Sequence, residues 1–270
     1  DQAGFIADEV FPVVDVASQA GTFGKIPIEQ LLQNSDTKRA PGSGYSRGNF
    51  TFETASYACQ ENGHEEVVDD REAKMYAEYF DAEVVSTARA YNAVLKNAEE
   101  RIADAVFNTS TWTGSSLTTA ITNEWDDAAN ATPVNDVEAA VQTIYDNSGL
   151  WANALVINKK VFRNLRLSDQ IRDRVSSNGA GSSELQGLIS VQQLAQAFDL
   201  EHVIVAGGTE NTANEAQAAS ISPIWSGEYA MVCKIANGPD FKEPCIGRTF
   251  HWGEDGSSVG GAEGRNRRLK

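Results

Sequence analysis

The amino-acid sequence predicts a mixed α+β fold, and three features of its pattern lead to that prediction. Residues 50–59 alternate with period two and include aromatic and β-branched side chains, which is typical of a β-strand. Residues 71–107 contain no Gly and no Pro, and their apolar residues recur at every third or fourth position, as along one face of a long helix. Residues 135–206 alternate between helical and strand-like patterns, which indicates a small α/β unit. A chain of 270 residues is therefore expected to form one elaborate domain or two small ones.

Composition and charge narrow the class of protein. Hydrophobic residues make up 41% of the chain, which excludes wholesale disorder. The 38 acidic residues outnumber the 22 basic ones and give a formal net charge of -16. Extensive binding to DNA or to an anionic membrane needs concentrated Lys and Arg, so both are disfavoured. No apolar stretch approaches the roughly 20 residues that span a bilayer, and no membrane partner is expected.

The first segment, residues 5–16, is predicted to be an extended arm, and an extended loop follows it. Pro12 prevents a helix from running through the apolar part of the arm. A strand on each side of a polar, turn-forming stretch would make the loop two-stranded, and such a pair is only marginally stable alone. The polar stretch cannot build a core, so it is expected to be exposed. It carries the loop's basic and aromatic candidates for contact with another surface, Lys38, Arg39, Tyr45 and Arg47.

An acidic turn leads into the long helix, which is predicted at about residues 70–108. A metal site among the acids is one interpretation, but a helix start is favoured because Asp69 can cap the helix and Glu72 follows three residues later. One continuous helix of this length would reach roughly 55 Å. A coiled-coil strand is the alternative, although the spacing departs from strict heptads. The acids are Glu61, Glu65, Glu66, Asp69, Asp70 and Glu72, and the predicted buried face is Phe80, Val84, Ala88, Tyr91, Leu95, Ala98, Ile102 and Ala105.

A second unit is predicted to begin near residue 135, after a polar linker. Its apolar runs at 154–157 and 202–206 are typical of short, buried strands. Helices are expected between them, with Ser190 as a cap. Two later segments, 229–236 and 246–252, are predicted to be strands that return to the long helix.

Motifs for chemistry are present but poorly placed. Ser46 and Ser258 each lie in a G-x-S-x-G pattern, which makes a hydrolase nucleophile only when a strand enters the motif and a helix leaves it. Neither context fits, and the acids show no paired geometry for glycoside hydrolysis. Three scattered cysteines and three histidines do not form a metal-ligand pattern, and no nucleotide-binding glycine motif occurs. The sequence thus predicts no catalytic, cofactor or metal site, with a serine or carboxylate hydrolase kept as an alternative.

The order of these parts resembles the major capsid proteins of tailed bacteriophages, whose fold is shared with encapsulins and herpesvirus shells. The similarity is dense over residues 1–108 and thin beyond 135, where only the order of elements agrees. The segments that carry it are Ala7–Val14 in the arm, Arg39–Gly44 in the loop, Tyr57–Glu61 after the loop, and Val68–Asp70 before the helix.

The resemblance implies a structural protein and not an enzyme. It would assemble in the host cytoplasm into hexamers and pentamers of an icosahedral head shell in the virion. The shell would enclose double-stranded DNA without reading its sequence, with a portal and decoration or scaffolding proteins as further partners. An encapsulin-like protein compartment is the alternative within the same fold.

The resemblance also implies a division of the chain and a set of contacts. The arm (1–20) and extended loop (21–68) would precede a peripheral domain (69–134) with its spine helix, an axial domain (135–235) and the closing strands of the peripheral domain (236–270). The loop would lie across a neighbouring subunit. Contacts between subunits are therefore expected at Lys38, Arg39, Tyr45, Arg47, Glu65, Glu66, Asp69 and Asp70.

Overall fold

The computed structural model describes residues 4–49, 51–114, 116–177, 189–214, 216–238 and 243–253. The chain divides into two compact units. The first contains the described residues of Asp1–Val14 and Asn62–Thr249, and the second contains those of Asp15–Glu61 and Phe250–Lys270. The domain boundaries expected from the resemblance stay predictions.

The fold is α+β, as predicted. The described helices are α1 (Ala7–Val10), α2 (Ile28–Leu31), α3 (Asp70–Tyr76), α4 (Ala82–Val106), α5 (Pro133–Ser148), α6 (Lys159–Leu165), α7 (Asp169–Ser177) and α8 (Val191–Phe198). The described strands are β1 (Val13–Asp15), β2 (Ala20–Lys25), β3 (Glu53–Ala58), β4 (Ala154–Asn158), β5 (His202–Ala206), β6 (Thr209–Asn211), β7 (Ile221–Pro223), β8 (Ala230–Cys233) and β9 (Thr249–His251).

The first unit is built around a three-stranded sheet in the order β5-β4-β8. Strand β4 pairs parallel with β5 and antiparallel with β8. Every residue of β4 is buried, as the unbroken apolar run predicts for a strand covered on both faces. Helices α6, α7 and α8 lie between β4 and β5 in the chain, which confirms the predicted α/β arrangement.

The two faces of β4 belong to two separate hydrophobic clusters. Leu155 and Ile157 lie in a cluster with side chains of α5, α6, α7 and α8. Ala154 and Val156 lie in a second cluster, which includes residues of α1 and α4 together with Trp225. Because successive side chains of a strand point to opposite faces, one short strand connects both cores.

A buried carboxylate connects α4 to the N-terminal arm. The Glu99 side chain is 1% exposed. Its Oε1 accepts hydrogen bonds from the Ile6 backbone N–H at 2.8 Å and from Trp225 Nε1 at 2.6 Å, and its Oε2 accepts one from the Ala7 N–H at 2.9 Å. The two backbone donors, from Ile6 and Ala7, lie at the start of α1, where N–H groups lack intrahelical partners. Glu99 thus fixes the arm and Trp225 on α4.

The prediction of a single long helix is wrong in one respect, because the chain is not helical between α3 and α4. The Asp81 side chain accepts hydrogen bonds from the backbone N–H groups of Glu83 at 3.0 Å and Val84 at 3.3 Å, so it caps a new helix. The predicted cap at Asp69 is confirmed, since its carboxylate accepts from Arg71 N–H at 2.8 Å. A second aspartate cap, Asp81, therefore divides the predicted helix into α3 and α4.

The predicted buried face of this segment is also wrong in its N-terminal half. Phe80, Val84 and Tyr91 are 45%, 64% and 45% exposed. The deeply buried positions of α4 are Glu99, Ala103 and Val106, near its C-terminal end. Packing against the second cluster, and not apolar spacing alone, sets the orientation of the helix.

The second unit contains the two-stranded part of the loop. Strands β2 and β3 pair antiparallel, with Gly21 opposite Tyr57 and Phe23 opposite Ala55. The predicted strand after the polar stretch is confirmed, although it covers Glu53–Ala58 and not all of residues 50–59. Phe250 packs on one face of the pair, with its ring 4.9 Å from that of Tyr57 and 5.8 Å from that of Phe23. The opposite face consists of small and polar side chains and is exposed.

Candidate inter-subunit surface

The basic part of the loop is exposed, irregular chain between α2 and β3. The Arg39 guanidinium lies over the Tyr45 ring, 4.4 Å from its centroid, and Arg39 Nε donates to the Ser43 carbonyl at 2.7 Å. Tyr45 is nevertheless 79% exposed. Lys38 and Arg47 are exposed as well. The structure thus brings Arg39 and Tyr45 together and presents all four side chains to solvent.

The acidic candidates lie in the first unit, and part of the set already has partners within the chain. A Glu66 carboxylate oxygen lies 3.2 Å from Arg89 Nε, and the Glu66 side chain is largely buried. Asp69 caps α3. Glu65 and Asp70 are exposed. Glu66 and Asp69 therefore have local structural roles, whereas the surroundings of Glu65 and Asp70 leave both carboxylates accessible to another molecule.

Sequence reasoning missed an exposed apolar segment, residues 75–91, because it assigned part of it to the core. Tyr79 is 81% exposed, Val84 64% and Met75 63%. Tyr76 and Phe80 stack on each other at 5.3 Å and are themselves partly exposed. The sequence did indicate this exposure through pairs of adjacent apolar residues at 75–76, 79–80 and 84–85. A helix that packs on one side buries only one residue of such a pair, so the other residue is expected to be exposed. The large exposed side chains of the apolar segment are Met75, Tyr76, Tyr79, Phe80, Val84, Val85 and Tyr91.

Charge at the two candidate surfaces is opposite in sign. Between Lys38 and Arg47 the loop contains basic residues and no acid. The chain from residue 61 to residue 83 is strongly acidic, with Arg71 and Lys74 as its only basic residues. Opposite potentials of this kind steer association and fix its register.

Burial raises the pKa of two titratable groups of the first unit, Glu210 and Cys233. Burial raises the pKa of Glu210, and the negative charges of Glu100 and Asp104 raise it further. Burial raises the pKa of the Cys233 thiol to about 12. A thiol held in its protonated form is a poor nucleophile, so Cys233 belongs to the packing of the second cluster.

In the described residues, the candidate catalytic motifs lack the surrounding structure that catalysis would need. Ser46 lies in irregular chain, with no strand entering it and no helix leaving it. Ser258 lies outside the described residues. Within the described ranges, no group of three or more His, Cys, Asp and Glu side chains could hold a metal ion. None of the helices in those ranges combines the length and apolar character needed to cross a bilayer.

The fold resembles that of solved structures, one of which aligns with most of this chain. The chain has the fold of a phage-related protein from Bordetella bronchiseptica RB50, with a TM-score of 0.62 and 20% sequence identity. The alignment covers 93% of this chain and 78% of that protein. The architecture described above is therefore shared with a phage-related protein over nearly the whole chain.

A second structure, from Microbacterium phage Oxtober96, is more distant. Its TM-score is 0.43 at 14% identity, and the alignment covers 76% of this chain and 65% of that one. At this TM-score the match does not establish a common fold. No protein-family model and no curated protein matches the chain.

Proposed function

We propose that this protein is a non-catalytic structural subunit that assembles with copies of itself into the icosahedral head shell of a tailed phage. The observation that carries the proposal is the exposed apolar segment, residues 75–91, in a chain whose fold is that of a phage-related protein. The segment presents seven large, exposed apolar side chains within seventeen residues, and exposed apolar surface of this kind commonly marks protein–protein contacts. Assembly would bury them.

The extended loop supports the same proposal. Residues 33–49 are exposed throughout and form no helix or strand. Leu32 and Phe52, which flank this stretch, are also largely exposed. A loop of this kind gains burial only from another molecule, and we propose that it lies across a neighbouring subunit, with its basic side chains toward that subunit's acidic residues 61–83.

The charge of the chain fits a container for DNA. A net charge of -16 opposes adhesion of DNA over the whole inner wall, because phosphate binding depends on Lys and Arg. The genome could then move during packaging and release. We further propose the virion as the location, assembly in the host cytoplasm, and a portal with decoration or scaffolding proteins as additional partners.

The first test is the mass of the native particle, measured by light scattering and negative-stain imaging of purified protein. Uniform shells in the megadalton range support the proposal. A discrete monomer or small oligomer at high concentration would refute it. DNA in the particles from infected cells supports a phage head, whereas an enzyme cargo without DNA would favour an encapsulin-like compartment.

A matched pair of variants tests the surface itself. Tyr79→Ser combined with Val84→Ser removes two exposed apolar side chains, and each change should alter folding stability by about 0.5 kcal/mol or less, as is usual at exposed sites. We expect a folded chain that no longer forms shells. Ile221→Ser, at a position 75% exposed on β7, is the control and should assemble normally. Normal shells from the double variant would show that the apolar segment is not an interface.

A further inference from the structure

Basic residues are distributed very unevenly in the second half of the chain. From residue 102 to residue 233, every Lys and Arg lies between Lys159 and Arg174. The stretches on both sides, 102–158 and 175–233, contain acids and no basic residue. The basic residues of this island are Lys159, Lys160, Arg163, Arg166, Arg172 and Arg174.

Helix α6 carries half of this island on its outer surface. Val161 and Leu165 are buried on its inner side, whereas Lys159, Lys160 and Arg163 are exposed. The helix contains no acid, and these three side chains form no salt bridge with any residue in the described part of the chain. Lys159 and Arg163 are four residues apart, so they lie on one face of the helix.

The two lysines do not stabilise the helix that carries them. Lys159 and Lys160 occupy its first two positions, where the positive end of the helix dipole disfavours a cation. Like charges four residues apart also repel each other. Arg163 lies in the last turn, where the dipole favours a cation, so local folding accounts for Arg163 but not for the two lysines. An anionic partner outside the chain accounts for all three cations.

We propose that the outer face of α6, formed by Lys159, Lys160 and Arg163, binds an acidic surface of a second copy of this chain. The inference rests on the proposed function, because it assigns a contact within the shell. Each copy supplies exposed acids on the cation-free stretches, such as Glu138 and Asp146 on α5. A contact between two different surfaces is heterologous, and repeated contacts of this type form rings when the rotation between neighbouring copies closes.

Nucleic acid is the other possible polyanion, and the charge of the chain disfavours it. DNA presents continuous negative charge, which a chain of net charge -16 repels outside a small cationic area. A second copy can instead place a few carboxylates on that area. The same contact would offset the repulsion between copies, which a strongly acidic shell must overcome.

Two double variants with equal charge change test the proposal. Lys159→Gln with Arg163→Gln removes two positive charges from α6. The control, Gln192→Glu with Gln196→Glu, adds two negative charges at exposed positions four residues apart on α8. For the α6 variant we expect the subunit concentration needed for shell formation to rise roughly tenfold, as loss of surface charge pairs predicts. The wild-type threshold should rise with salt, and the α6 variant should lose that dependence.

Several outcomes overturn the proposal without touching the proposed function. Equal shifts in both variants would indicate general repulsion, and no shift in either would exclude a contact at α6. Normal assembly of the α6 variant with reduced DNA retention would assign the surface to nucleic acid. Absence of shells from the wild-type chain would refute the proposed function itself.

A zero-length carbodiimide cross-link gives an independent readout. Shells assembled from a mixture of isotopically light and heavy chains should yield peptides that join Lys159 or Lys160 of one copy to a carboxylate of another. Cross-links from other lysines, with none from these two between copies, would contradict the proposal.

Discussion

Replacing Glu99 with glutamine should destabilise the protein by about 2 kcal/mol, even though the change preserves size and removes a buried charge. The carboxylate accepts N–H groups from Ile6, Ala7 and Trp225. A glutamine can keep its oxygen at the two-donor position, but its NH₂ group then faces the Ala7 N–H. The substitution therefore sets two buried donors against each other and leaves the Ala7 N–H unsatisfied.

The magnitude follows from three opposing contributions. An unsatisfied buried N–H costs about 1–3 kcal/mol. The two remaining hydrogen bonds lose the benefit of a charged acceptor, about 1 kcal/mol each. Against this, Glu99 has no salt-bridge partner among the residues that the structure describes, so replacing its charge by a neutral amide recovers part of the loss. A net loss of about 2 kcal/mol is what remains.

The assay is chemical denaturation followed by far-UV circular dichroism, with both variants in the same assembly state. Glu100→Gln is the matched control, because Glu100 is the exposed neighbour on the same helix and should change stability by about 0.5 kcal/mol or less. The indole N–H resonance of Trp225, assigned with Trp225→Phe, should move in the Glu99 variant alone. Unchanged or increased stability of Glu99→Gln would refute the reasoning, because desolvation of the ion would then outweigh its hydrogen bonds.

Three further predictions concern backbone packing, a thiol and a carboxyl group. Gly4→Ala should destabilise the fold by about 1–3 kcal/mol, because the new Cβ would lie 2.6 Å from the Gly207 backbone carbon, whereas Gly24→Ala meets nothing within 4 Å; thermal melts compare them. Cys233 should resist thiol reagents at pH 8 until denaturant is added, since burial raises its pKa to about 12, and mass spectrometry that finds it modified in the native protein would contradict this. Because the pKa of Glu210 is raised in the folded state, the contribution of this carboxyl group to folding stability is fully present below its ordinary pKa of 4.5. That contribution is lost as the pH rises through the folded-state pKa. Glu210→Gln should therefore raise the melting temperature at pH 7, and the gain should shrink toward pH 4.5; a gain independent of pH would exclude this origin.

Local signals predicted the elements that depend on neighbours in the chain. Period-two alternation located β3, an unbroken apolar run located β4, and a short polar side chain before a helix located the cap at Asp69. Each of these depends on interactions within a few residues, which are visible in any window of the sequence. The loop candidates Lys38 and Arg47 were likewise predictable as exposed, because a polar, turn-forming stretch cannot form a core.

Two features of the structure could not be predicted from local sequence patterns. The break before α4 depends on Asp81, whose carboxylate could equally have faced solvent from within a continuous helix. The exposure of the apolar segment was not predicted, because Val84 and Tyr91 fit the spacing of a buried helix face. Spacing alone does not show whether another part of the chain packs on that face. Among the described residues, the second cluster covers the C-terminal part of α4 and draws no residue from 75–91.

The sequence by itself determined the α+β class, the two-stranded loop, the buried strands and the acidic character of the chain, because composition and short-range periodicity dictate these properties. Only the tertiary structure decided which face of α4 is buried and why Glu99 lies in the core. The donors of Glu99 come from residues 6, 7 and 225, which are far from it in sequence. A glutamate on a helix is expected at the surface, and it becomes a core residue only where folding brings such distant N–H groups together.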